Sequence, residues 1–258
     1  MRLMKRILSA AAVLALSASL LVGCSSGTAG SVPVSASSAA ESTVSSVEET
    51  ASSAVDENEA AAAQLLNDLT GSYQELWPVI LADEYKQTWL DDCTALVGED
   101  NAEAAFEKLS SMVTGDVYGE DAVKAYANGG GAYFCGFTNS LATLTFDGET
   151  STISGTDKDG NVLFSHTYHY IGMEPVHGLY EFESDDADSG EFTYFFLAPD
   201  TSAETYHIEF RYGSDAEALS QYDAGEYAYW VASGISTDCD QTMIDNCIEL
   251  FCTENLAG

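Results

Sequence analysis

The stretch "LATLTFDGETSTI", Leu141 to Ile153, decides how this chain folds. Before it, apolar residues recur at helical spacing. From here on they alternate with polar ones, and Asp147-Gly148 supplies turn chemistry between two such runs. The stretch predicts two strands joined by a hairpin. "GTDKDGNVLF" places another turn at Asp159-Gly160. "SHTYHYIG", "GLYEFES", "GEFTYFFLA" and "TYHIEFRYG" follow as short β-rich runs separated by turn residues. Short strands in regular succession are the pattern of an antiparallel meander closing into a barrel.

Upstream, Asp56 to Leu69 is rich in helix formers, and Gly71 interrupts it. In "LTGSYQELWP" Pro78 marks an end. Val79 to Leu96 and Ala102 to Val113 carry apolar residues at helical spacing, with Gly98 between them, and a shorter helix runs from Asp121 to Ala127. After the strands, Asp215 to Gln221 reads as helical. Thr242 to Leu256 is amphipathic, with Ile244, Cys247, Ile248 and Phe251 on one face. The expected class is α+β: N-terminal helices, an antiparallel β-barrel and a C-terminal helix.

The first 24 residues stand apart. Arg2, Lys5 and Arg6 precede an apolar run from Ile7 to Leu20, too short to span a bilayer comfortably, which reads as a secretory signal peptide. It ends in Leu21-Val22-Gly23-Cys24, which resembles the lipobox of bacterial lipoproteins, so Cys24 is the expected lipidation site. Residues 25–58 are Ser/Ala-rich without an aromatic residue, the composition of a disordered tether. All 11 Phe, 14 Tyr and 3 Trp lie in residues 59–258, the expected folded domain. The implied location is the outer face of the bacterial cell membrane, with the lipid as the membrane contact.

The chain carries 8 basic against 42 acidic residues. Losing the leader removes three of the basic ones. Nucleic acid is excluded as a partner, because phosphate binding needs Lys and Arg to displace counterions. A strongly negative surface attracts cations.

Five cysteines follow Cys24: Cys93, Cys135, Cys239, Cys247 and Cys252. The odd number leaves at least one unpaired within the chain. In an oxidising compartment any pairing is expected between one of the last three and one of the first two, and buried structural cysteines are the default reading. No CxxC is present to suggest a thiol-based zinc or redox site.

Chemistry-bearing patterns are few. Asp157-Lys158-Asp159-Gly160-Asn161 fails as a calcium loop, since Gly155 and His166 fall on its first and closing ligand positions. Glu183 to Asp188 is an acidic turn, expected to be solvated. His166 and His169 are three apart, which puts them on opposite faces of a strand. His177 follows Pro175 and reads as a loop residue. There is no G-x-S-x-G or H-E-x-x-H, and adjacent Asp91 and Asp92 point apart on a helix, so an enzyme is not expected.

Several short motifs together resemble the ZinT (YodA) family of periplasmic zinc- and cadmium-binding proteins. Gly71, Tyr73, Gln74, Trp77 and Pro78 match its opening segment. "HTYHYIG" and "GLYEFES" resemble its central strand pair, Thr205 to Leu219 its His-containing strand with the turn and helix that follow, and "EYAYW" its Trp/Tyr-rich stretch. The resemblance implies a lipocalin-like barrel, zinc as the bound ion, and a role in metal buffering or delivery to an importer. It also implies a site in the barrel mouth, with the family's H-x-H pair at Thr205 and His207, so only the second histidine is kept. The strand-end histidine falls near Phe195 and is lost too. The remaining candidate ligands are His207 and Glu209, two residues apart and hence on one face. The alternative is a binding module that uses the barrel mouth for a small apolar ligand or a protein partner, drawing on Tyr168, Tyr170, Phe192, Tyr194, Phe195 and Phe196.

Overall fold

The barrel closes through a strand far upstream of the hairpin that announces it. The computed structural model describes residues 57–199 and 207–257; the leader, Cys24, most of the tether and Thr205 lie outside these. Strand β1 (Gly71–Glu75) pairs antiparallel with both β2 (Thr143–Asp147) and β8 (Ala232–Ser236). With β3 (Thr152–Thr156), β4 (Val162–Met173), β5 (Tyr180–Ser184), β6 (Tyr194–Leu197) and β7 (His207–Gly213), eight strands close in sequence order. The two turns read from sequence are there. Asp147 faces Thr152 across the first hairpin, and Gly160 takes φ 80° in the second.

Strands β1 and β8 were not anticipated. "GSYQE" offers one buried side chain, Tyr73, and "ASGIS" is built of small residues. Neither has the β-branched and aromatic signal that marks a strand. The small residues of β8 have a packing reason. A Cβ at Gly234 would come within 3.1 Å of the Ile208 side chain and 3.4 Å of Tyr73.

The helices are α1 (residues 57–68), α2 (Leu76–Ile80), α3 (Lys86–Val97), α4 (Glu99–Ser111), α5 (Glu120–Ala127), α6 (Ala216–Leu219) and α7 (Gln241–Leu256). The helical run read from Val79 to Leu96 is broken, with a 3₁₀ turn at Asp83–Tyr85 between α2 and α3. Pro78 does not end its segment. It sits in the first turn of α2, where a missing N–H costs nothing. Gly98 stops α3 at φ 83°. Asp240 caps α7 by accepting from the Met243 N–H at 3.0 Å. Among the described residues, no helix is long and apolar enough to cross a membrane.

Two cores result. The first fills the barrel: Phe146, Phe182, Phe195, Phe210, Tyr212 and Trp230 are all fully buried. Ala62, Leu65 and Leu66 of α1 belong to this same cluster. α1 meets the barrel at the β2–β3 turn, where Gly148 lies against Asn67. The second core lies outside the barrel wall. It joins α2, α3, α4 and α7 through Trp77, Trp89, Leu109, Ile248 and Phe251, and includes Ile235 from β8. The rings of Trp77 and Trp89 both meet Phe251 edge-on, at 4.7 and 5.9 Å.

Candidate functional site

Strand β7 separates its residues cleanly. Ile208, Phe210 and Tyr212 enter the barrel core, so His207, Glu209 and Arg211 face the other way. The register agrees. His207 stands opposite Ile235, a member of the helical-layer core, and Glu209 opposite Ser233. His207 and Glu209 share a face, as their spacing requires. That face is the outside of the barrel wall, not the mouth to which the family resemblance assigned them.

His207 opens β7 and is half-buried. Burial pulls its imidazole down to about 4, so the ring is neutral at ordinary pH. Glu209 lies close enough to Cys135 and Tyr222 to act on both. Burial first, and then the Glu209 carboxylate, push the Cys135 thiol up. Burial likewise raises the Tyr222 phenol, against the neighbouring Arg211 and with a smaller contribution from Glu209.

Next in the row is Arg211, which is completely buried. Its guanidinium donates to the backbone carbonyls of Leu219, Gln221 (3.2 Å) and Tyr227 (2.5 Å), and it stacks 4.1 Å from the Tyr222 ring centre. Beyond Tyr222 lies His177, its ring 3.9 Å away. Glu174, also completely buried, accepts from the backbone N–H groups of Val176 (2.9 Å) and His177 (2.5 Å) and lies 3.2 Å from the His177 ring nitrogen Nδ1. His177 is thus packed into a buried network instead of standing in an open loop. Burial lowers its pKa, against the raising effect of Glu174. Sequence reading missed Glu174, Arg211 and Tyr222. One signal was present: Arg211 is a cation inside an otherwise apolar alternation in a chain poor in basic residues.

The other two histidines do lie on opposite faces of β4. The His166 side chain is 17% exposed and that of His169 is 53% exposed. Each is held by the acidic turn after β5: His166 Nδ1 lies 2.7 Å from Asp186, and His169 Nδ1 lies 2.7 Å from Asp185. The turn read as merely solvated therefore ties down the middle of β4. The Asp157 loop is a hairpin turn. The Asn161 side chain and the backbone N–H groups of Asn161 and Asp159 hydrogen-bond its carboxylate, keeping Asp157 below the usual range.

Among the described residues, no three His, Cys, Asp or Glu side chains gather to hold a metal ion. His207 and Glu209 supply two donors. Of the residues invoked for an apolar ligand, Tyr168 and Phe195 are buried in the barrel core, while Phe196, also buried, stands opposite Arg211 on the outer face of the wall.

No family model matches the chain, and no curated protein matches it. Among solved structures it is similar to the Zn(II)-bound ZinT-like domain of Streptococcus pneumoniae AdcA, with TM-score 0.45 and 16% identity over 71% of this chain and 89% of that one. It is also similar to Zn(II)-bound AdcA from Streptococcus pneumoniae, with TM-score 0.43 and 14% identity over 72% of this chain and 35% of that one.

Proposed function

We propose that this chain is an exported, lipid-anchored envelope protein whose barrel domain takes up zinc at an open site built on His207 and Glu209. One observation carries the reading: a histidine kept neutral by burial shares the outer face of β7 with a carboxylate two residues on. Neutral imidazole is the form that ligates, and a carboxylate adds an oxygen donor. Two protein donors do not fit a closed structural zinc site, which takes three or four. They fit an open, weaker site from which the ion can be released. The acidic surface, with a formal net charge of −34 over the whole chain, concentrates cations around it. The leader ending at Cys24 supports anchoring at the outer face of the membrane, where a weak site would buffer zinc or hand it to an importer. The zinc is cargo in this reading.

A calorimetric zinc titration of the chain from Ser25 onward tests it. One weak site is expected, abolished in His207→Ala and weakened in Glu209→Gln. No binding by the wild type, or equal binding by all three, overturns the reading. Because burial already holds His207 deprotonated, affinity should persist as pH falls through 6.5 and drop only on approach to about 4.

A further inference from the structure

We infer that Cys93 and Cys252 join in a disulfide when the chain folds in an oxidising environment, fastening α3 to α7 across the helical layer. Their sulfurs lie 3.9 Å apart, and both residues are completely buried in the second core. The contact links positions 159 residues apart in sequence, so it exists only because the C-terminal helix docks on the first helical hairpin. A disulfide needs the sulfurs at about 2.05 Å, so the bond draws the two side chains together from this contact. Of the other thiols, Cys135 instead approaches the Tyr133 carbonyl at 3.9 Å, and Cys239 is half-buried ahead of α7. Two sulfurs without further ligands do not make a metal site, and no larger cluster surrounds them among the described residues.

The oxidant is a second disulfide, carried by a small molecule or by an oxidoreductase. One cysteine, as thiolate, attacks a sulfur of that disulfide, forming a mixed disulfide and releasing one thiolate. The second cysteine, deprotonated in turn, attacks the mixed disulfide and displaces the other thiolate. Two S–H bonds are lost and one S–S bond is formed. Two electrons reduce the oxidant to two thiols, which take up the two protons. Timing follows from burial. In the fold both thiols are hidden, and burial pushes both pKa values up, so thiolate is scarce there. The first exchange, which forms the mixed disulfide, therefore precedes the docking of α7; docking then brings the second sulfur up to it and shields the finished bond from reductants.

The test refolds the full chain carrying Cys24→Ser from denaturant in mixed reduced and oxidised glutathione. The product is alkylated with iodoacetamide under denaturing conditions and weighed intact. Three alkylated cysteines are expected out of five, with a cross-linked peptide joining Cys93 to Cys252. Adding Cys252→Ser should leave all four remaining cysteines alkylated and lower the melting midpoint by roughly 5–15 °C, to that of the reduced parent. Cys93→Ala serves the same purpose if Cys252→Ser does not fold. Five alkylated cysteines, glutathione adducts alone, a different pair, or a chelatable metal held by both sulfurs would each overturn the inference.

Discussion

His207 is neutral because of where it sits, and that has a measurable consequence for stability. An unfolded histidine titrates near ~6.5, whereas in the fold burial brings His207 to about 4. Between those values the unfolded chain holds a proton that the folded chain does not. Stability of the metal-free protein should therefore fall as pH drops from about 6.5 towards 4 and level off below, by up to about 3 kcal/mol. Urea midpoints at pH 7 and 4.5, in chelator, should show a smaller acid loss in His207→Gln than in wild type. His177 is lowered by burial as well, but it is present in both chains, so the comparison isolates His207. Equal losses would mean that the His207 ring is open to water. Arg211 makes the opposite kind of contribution: its guanidinium donates to three backbone carbonyls, of Leu219, Gln221 and Tyr227. Arg211→Met should cost about 3–5 kcal/mol by thermal denaturation. Arg211→Lys should recover little, since an ammonium lacks the planar fork.

Secondary structure was legible where a residue pattern and its burial agree. Strands β4 to β7 declare themselves through aromatic alternation, and α7 through Ile244, Cys247, Ile248 and Phe251, all four of which are buried. Strands β1 and β8 were illegible because their role is to let other side chains approach, and small residues do that without leaving a signature. The placement of His207 was partly legible. Ile208, Phe210 and Tyr212 already mark the inner face of β7, and the family resemblance drew the reading away from that pattern. The acidic turn was not legible, since its partners His166 and His169 are 20 and 16 residues away and meet it only through the β4–β5 pairing. Two contacts between elements can be tested directly. A Cβ at Gly148 would lie 2.4 Å from the Asn67 Cα. Gly148→Ala should push the β2–β3 turn off the end of α1 and cost roughly 1–3 kcal/mol in urea denaturation. Phe251→Ala removes the ring between Trp77 and Trp89 and should cost about 3–5 kcal/mol.

At the scale of the molecule, charge and closure dominate. A net charge of −34 repels itself in the compact state, so added sodium chloride should raise the melting temperature until the charges are screened. A midpoint that does not move with salt would show that the charges are too widely spread to matter. Closure depends on one short strand, since β1 alone bridges β2 and β8. Removing residues 57–75 should leave both edges open and give aggregates in light scattering in place of a monomer. The amino-acid sequence by itself determined the order of helices and strands, the meander and its turns, the alternation of β7 and the acidity of the surface. These are local properties, written in periods of two or 3.6 residues and in composition. Only the tertiary structure decided that the barrel closes through Gly71–Glu75, that aromatic side chains from separate strands pack its interior and that Cys93 meets Cys252. Each of these depends on residues far apart in the chain, and no local pattern encodes the packing that brings them together.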